Sequence, residues 1–151
     1  MADGRPALLA VAHGTRDPAG PAVVRELLDR VRERRPWLHV AEAYGELVWP
    51  SLEEAAAALG AGGPVVVVPL LLGRGYHALI DIPERAGRLL PGAVTARPLG
   101  PEALLADAVA GRLGAVPPGR HGNGGPPCPQ DTVVLGAAAS ADPAGAADVR
   151  A

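Results

Sequence analysis

Residues 64 to 72 read Pro-Val-Val-Val-Val-Pro-Leu-Leu-Leu, an apolar run with no polar side chain, preceded by Gly62-Gly63 and followed by Gly73-Arg74-Gly75. Its length, its glycine flanks and its β-branched centre favour a strand over a buried helix. A strand that is apolar on both faces must be covered on both, which is the situation of a strand inside a parallel sheet with helices above and below. Residues 7 to 12, Ala-Leu-Leu-Ala-Val-Ala, form a second run of the same kind. These two runs hold the chain to the α/β class.

The intervening segments supply the helices. Asp17-Pro18 reads as a helix cap with proline at the first helical position, and Val24, Leu27, Leu28 and Val31 then recur at helical spacing until Pro36 closes the segment. Residues 38 to 44 alternate like a partly exposed strand. Ser51-Leu52-Glu53-Glu54 opens an alanine-rich helix whose acidic first turn suits the helix dipole, and the glycines at 60, 62 and 63 end it. A helix over about residues 83–90, a strand over about 93–97 and a helix over 101–113 follow. The order βαβαβαβα predicts a flavodoxin-like parallel four-stranded sheet, order 2-1-3-4, with helices on both faces.

A chain of 151 residues can bury one real core, and with 48% apolar residues but no Phe that core is built from Val, Leu and Ala. The net charge of −2 gives no electrostatic footprint for nucleic acid, and the arginines near positions 32–35 read as the solvated end of a helix. The single cysteine, Cys128, lies between prolines and excludes both an intramolecular disulfide and a thiolate zinc site. No apolar stretch reaches transmembrane length and the first residues lack a secretory core, so the expectation is a cytoplasmic protein without membrane or nucleic-acid partners.

Three segments are expected: a main domain over 1–116, a Gly/Pro-rich linker over 117–131, and a truncated second repeat over 132–151. Residues 133–145 align with residues 8–20 at a constant offset of 125. In this echo His13, Gly14 and Arg16 correspond to Ala138, Ala139 and Ala141, while the Asp-Pro pair is retained as Asp142-Pro143. A degenerate copy that keeps its fold signals and loses its polar residues reads as scaffold.

The chemistry is concentrated in two histidines. His13 follows the first strand in Ala12-His13-Gly14-Thr15-Arg16-Asp17-Pro18, and His77 follows the third in Gly75-Tyr76-His77-Ala78-Leu79-Ile80-Asp81-Ile82-Pro83. Carboxyl ends of strands in an open α/β sheet form the ligand crevice, so in a 2-1-3-4 sheet the two imidazoles face each other across the switch point. Glu46, just beyond strand two, opens toward the same edge. Two imidazoles and a carboxylate suit a divalent Fe, Co or Ni ion and leave coordination positions open. His39 and His121 read as structural or idle, and Asp81 as a helix cap.

These segments resemble the sirohydrochlorin chelatases, small class II enzymes that insert cobalt, iron or nickel into a tetrapyrrole. His13-Gly14-Thr15-Arg16 is similar to the family's His-Gly-Ser-Arg turn, and the segment from Gly75 to Pro83 to its Gly-x-His-x-x-x-Asp-Ile-Pro. Glu46 with Pro50-Ser51-Leu52 resembles Glu-x-x-x-Pro-Ser-Leu, and Pro98-Leu99-Gly100 the family's Pro-Leu-Gly. The likeness spans about residues 8–113.

The resemblance implies insertion of Co²⁺ or Fe²⁺ into sirohydrochlorin, in siroheme or cobalamin biosynthesis, with no permanently bound cofactor. It also implies that His13 and His77 hold the metal, and that a homodimer replaces the missing second copy. Neutral imidazole serves as ligand and as proton acceptor near pH 7 and releases a metal that a thiolate would keep. Glu46 accepts a proton or helps to hold the ion. Two departures stand out: Trp49 occupies a place where the family commonly has an acidic residue, and Arg74 one where a small residue or His is usual. Arg74 and Arg16 are candidates to pair with the substrate's peripheral carboxylates. Two rival readings are a non-catalytic module holding a metal or presenting a helix N-terminus to an anion, and an inactive fragment of a two-repeat chelatase. The Gly-x-Gly-x-x-Gly and Gly-Lys-Ser/Thr spacings that would favour a phosphate module are absent.

Overall fold

The computed structural model describes residues 4–60, 63–114 and 143–148. The strands are β1 (Ala7–Ala12), β2 (His39–Tyr44), β3 (Val65–Pro69) and β4 (Val94–Thr95). The helices are α1 (Ala19–Arg34), α2 (Leu52–Leu59), α3 (Ile82–Leu89), α4 (Ala103–Gly114) and α5 (Pro143–Asp148), with a π-helical turn at His77–Asp81 leading into α3. All strand pairs are parallel in the order β2-β1-β3-β4, with Ala7 opposite both His39 and Val65. The expected order 2-1-3-4 is the observed one.

β1 is central, and its side chains divide between two cores with the period of two that a strand imposes. Leu9 and Val11 point into a cluster with Leu52, Ala55 and Ala56 of α2 and Ile82 and Ala86 of α3. Leu8 and Ala10 point the other way, against Val24, Leu28 and Val31 of α1. The sheet is therefore covered on both faces. Tyr44 is the largest fully buried side chain, and burial, more than the neighbouring Glu42, pushes its phenol pKa up. Among the described residues no helix is long and apolar enough to cross a membrane.

Element ends differ from the sequence reading in instructive places. β3 stops at Pro69, because the chain leaves the sheet there: Leu70 N–H still reaches Val11 O, at 2.8 Å, but the Leu71 carbonyl accepts from Gly100 N–H, in the loop before α4. A Cβ on Gly100 would collide with the Leu72 carbonyl, so the Pro-Leu-Gly segment packs directly on the end of this run. β4 is two residues rather than five, with Ala96 N–H adding one further bond to Val67 O at 2.8 Å. α1 begins at Ala19, one residue later than expected, although Asp17 does cap it through Oδ1, which accepts from Ala19 N–H at 2.9 Å. At α2 the Ser51 hydroxyl accepts from Glu54 N–H while the Glu54 carboxylate accepts from Ser51 N–H, a reciprocal capping box. The expected linker lies outside the described residues, as does most of the expected second repeat; within the latter, Pro143–Asp148 is helical.

Candidate metal-handling site

Three turns at the carboxyl edge of the sheet assemble the site. His13 leaves β1 directly. The β1–β2 pairing continues past both strand ends, since Gly45 N–H donates to Ala12 O at 2.8 Å and Glu46 N–H to His13 O at 3.0 Å. This places the Glu46 backbone against the His13-Gly14 turn so closely that a Cβ on Gly14 would overlap the Glu46 carbonyl; with φ of +100°, Gly14 is required on two counts. Beyond Glu46, Leu47 has φ of +65° and Val48 N–H donates back to Glu46 O at 2.7 Å, a γ-turn that a Leu adopts only under strain. The strain sits next to the carboxylate it presents.

The structure brings His13, His77 and Glu46 together. The imidazoles meet edge to face, with ring centroids 4.9 Å apart and planes at 89°. Glu46 Oε1 stands 3.9 Å from His77 Nε2, too far for a hydrogen bond. Each ring has its other nitrogen committed to an acceptor. His77 Nδ1 lies 3.2 Å from Asp81 Oδ2 and His13 Nδ1 3.2 Å from Gly14 O. A carboxylate and a carbonyl accept but do not donate, so each Nδ1 carries a hydrogen, and in a neutral ring the lone pair is then on Nε2. That is the tautomer a metal ligand needs, oriented by an outer oxygen. Among the described residues no three His, Cys, Asp or Glu side chains gather closely enough to hold an ion, so the site is a pair of nitrogen donors with Glu46 beside it rather than a closed cage.

Asp81 does not behave as the expected cap. It precedes α3 but makes no side-chain cap bond, because the π-helical turn carries its carboxylate back toward His77. The same Oδ2 accepts from Arg85 Nη1 at 3.3 Å. Arg85, which lies outside the sequence motifs, also donates to Gly45 O at 3.3 Å and forks onto Glu53 through Nε and Nη2, at 3.0 and 2.8 Å. Its hydrogen bonds to Glu53 raise the guanidinium pKa further and hold the Glu53 carboxyl below the usual carboxylate range. The only advance signal was spacing: residues 77, 81 and 85 recur every four positions, as neighbours on one helix face do.

The remaining candidates scatter. Arg16 is exposed on the turn after His13, and Arg74 is partly buried in a groove of about 500 Å³ that Leu79, Pro83, Thr95 and Arg97 also line. His39 is exposed at the start of β2, the opposite edge of the sheet, and His121 and Cys128 lie outside the described residues. Leu47, Trp49 and Tyr76 flank Glu46 and His77 in sequence and are all more than half exposed, an apolar rim that no core needs.

The CbiX family model matches residues 7–116, the stretch that contains all four strands, both histidines and Glu46. The chain belongs to the CbiX family. It is 31% identical over 121 residues to the sirohydrochlorin cobaltochelatase of Methanosarcina acetivorans, a match covering 70% of this chain and 92% of that one. Among solved structures it resembles the putative cobalamin (vitamin B12) biosynthesis CbiX protein of Marinobacter aquaeolei, with TM-score 0.59 and 26% identity over 72% of this chain and 94% of that one. It also resembles the sirohydrochlorin chelatase SirB of Bacillus subtilis subspecies spizizenii in complex with cobalt, with TM-score 0.64 and 27% identity over 75% of this chain. This CbiX chain spans about half, 51%, of the SirB chain.

Proposed function

We propose that this chain is a sirohydrochlorin chelatase that inserts Co²⁺ or Fe²⁺ into the tetrapyrrole, in siroheme or cobalamin biosynthesis. The observation that carries the reading is the pair of imidazoles at the switch-point edge, ring centroids 4.9 Å apart, each with its Nδ1 engaged by an oxygen. Family membership, the cobaltochelatase name of the Methanosarcina relative and the cobalt held by the SirB structure support it.

The chemistry follows from what must be exchanged. The ion arrives as M²⁺ and leaves bound to the macrocycle, so two pyrrole N–H bonds break, bonds from the ring nitrogens to the metal form, and two protons depart. His13 and His77 hold the ion through Nε2 with its other positions open. As the ion passes to the macrocycle, each Nε2 regains its lone pair and can take a proton, and Glu46 beside His77 is a third acceptor. Two neutral nitrogens bind weakly enough to let go, whereas a closed three- or four-ligand cage would keep the ion. On this reading the exposed Leu47, Trp49 and Tyr76 offer apolar surface to the macrocycle, and Arg16 and Arg74 pair with its carboxylates. On this reading the enzyme works in the cytoplasm on a polycarboxylate solute and needs neither membrane nor nucleic acid. The same reading includes a homodimer, which light scattering would register as twice the chain mass.

Mixing the protein with sirohydrochlorin and Co²⁺ tests the reading. The free-base absorption spectrum should give way to the metallated one faster than without protein, and equal rates would refute it.

A further inference from the structure

The network behind the histidine joins two sides of the site that come from different strands. His77 follows β3, and Glu46 follows β2. The Arg85 guanidinium touches both supports: the Asp81 carboxylate that orients His77, at 3.3 Å, and the Gly45 carbonyl immediately before Glu46, also at 3.3 Å. From the far side Glu53 on α2 accepts from the other two nitrogens, Nε and Nη2, in a fork, at 3.0 and 2.8 Å. The Arg85 side chain is only 18% exposed and Asp81 21%, whereas Glu53 is half exposed. The inner contacts are thus the sheltered ones.

We propose that Arg85 is a positioning residue of the metal site, setting the separation of His77 and Glu46 by holding Asp81 and Gly45 with one planar group. The inference rests on the chelatase reading. Lysine, a point charge on a flexible stem, cannot span two inner acceptors and an outer carboxylate at once, so Arg85→Lys is a meaningful change although it keeps the charge. A purely structural role would be different in kind: Arg85 would then be a staple between α2 and α3, and what mattered would be its bond to Glu53.

The test compares Arg85→Met, Arg85→Lys and Glu53→Gln with His77→Ala and wild type, each checked for folding by circular dichroism. Co²⁺ is titrated into each protein without tetrapyrrole and followed by its visible ligand-field absorption, and kcat and KM are measured separately for Co²⁺ and sirohydrochlorin. Both Arg85 variants should weaken Co²⁺ binding and lower kcat/KM for Co²⁺ by about 10- to 100-fold, as loss of an outer partner of a ligating His does, while KM for sirohydrochlorin stays put. Glu53→Gln should cost about threefold or less, since it removes one exposed ion pair. If Arg85→Met does not fold, Arg85→Lys is read at a temperature where its circular dichroism is native. Wild-type Co²⁺ affinity in a folded Arg85 variant, or a Glu53→Gln loss equal to that of Arg85, overturns the proposal. If His77→Ala also binds Co²⁺ like wild type, it is the chelatase reading that has failed; if only His77→Ala loses binding, the positioning role alone has failed.

Discussion

Gly14 shows how little room the site leaves at the level of single atoms. Its φ of +100° is a conformation that L residues avoid, and the space a Cβ would fill is already held by the Glu46 carbonyl. Gly14→Ala should therefore cost about 2 kcal/mol or more of folding stability, measured by urea denaturation, and should move Glu46 away from His77. A loss below about 0.5 kcal/mol, the range of an unconstrained surface change, would contradict this account of the turn. Asp81 gives the opposite lesson. As the residue before α3 it reads like a cap, yet its carboxylate turns to His77 Nδ1 and Arg85. A single residue type could not reveal which of two hydrogen-bond partners would win, because the outcome depends on the π-helical turn that re-aims the side chain.

At the scale of elements, the legible parts were those with an unambiguous hydrophobic period. Residues 7 to 12 form a strand with the expected bounds, since β1 is apolar on both faces and both are covered. The run over residues 64–72 yields only five strand residues, because an apolar pattern does not say where the backbone leaves the sheet, and here the loop around Gly100 claims the Leu71 carbonyl. The π-helical turn was not legible at all: one extra residue in a helical turn leaves the apolar spacing almost unchanged. The α2–α3 contact carries its own prediction. The bond from Arg85 holds the Glu53 carboxyl below its ordinary range, so the pair contributes stability above the unfolded value near pH ~4.3 and loses it as pH falls through the lower folded value. Thermal melts of wild type and Glu53→Gln should differ by less than about 1 kcal/mol at pH 7, because Glu53 is half exposed, and should converge in acid. A difference that grows as the pH falls would reverse the assigned sign.

Over the whole molecule, everything the proposed chemistry uses lies before residue 116: the four strands, both core clusters, His13, Glu46, His77 and Arg85. The grouping of His13, Glu46 and His77 was legible because parallel topology alone sends strand ends 1, 2 and 3 to one edge, whatever the local details. The linker expected over residues 117–131 and the degenerate repeat after it stay a reading of composition and of the 125-residue offset, with α5 the one described element there. A chain ending at residue 116 should melt within about 4 °C of the full chain and metallate sirohydrochlorin at the same rate. A truncated chain that fails to fold would mean that the later residues complete the core.

The proposed metal insertion depends on the two imidazoles. His13→Ala and His77→Ala remove side chains from an open edge rather than from the core, so circular dichroism and melting temperature should remain close to wild type. Rates of Co²⁺ insertion into sirohydrochlorin, followed by absorption, should then fall in both variants to the level seen without protein. Two folded variants that still metallate the tetrapyrrole at the wild-type rate would contradict it.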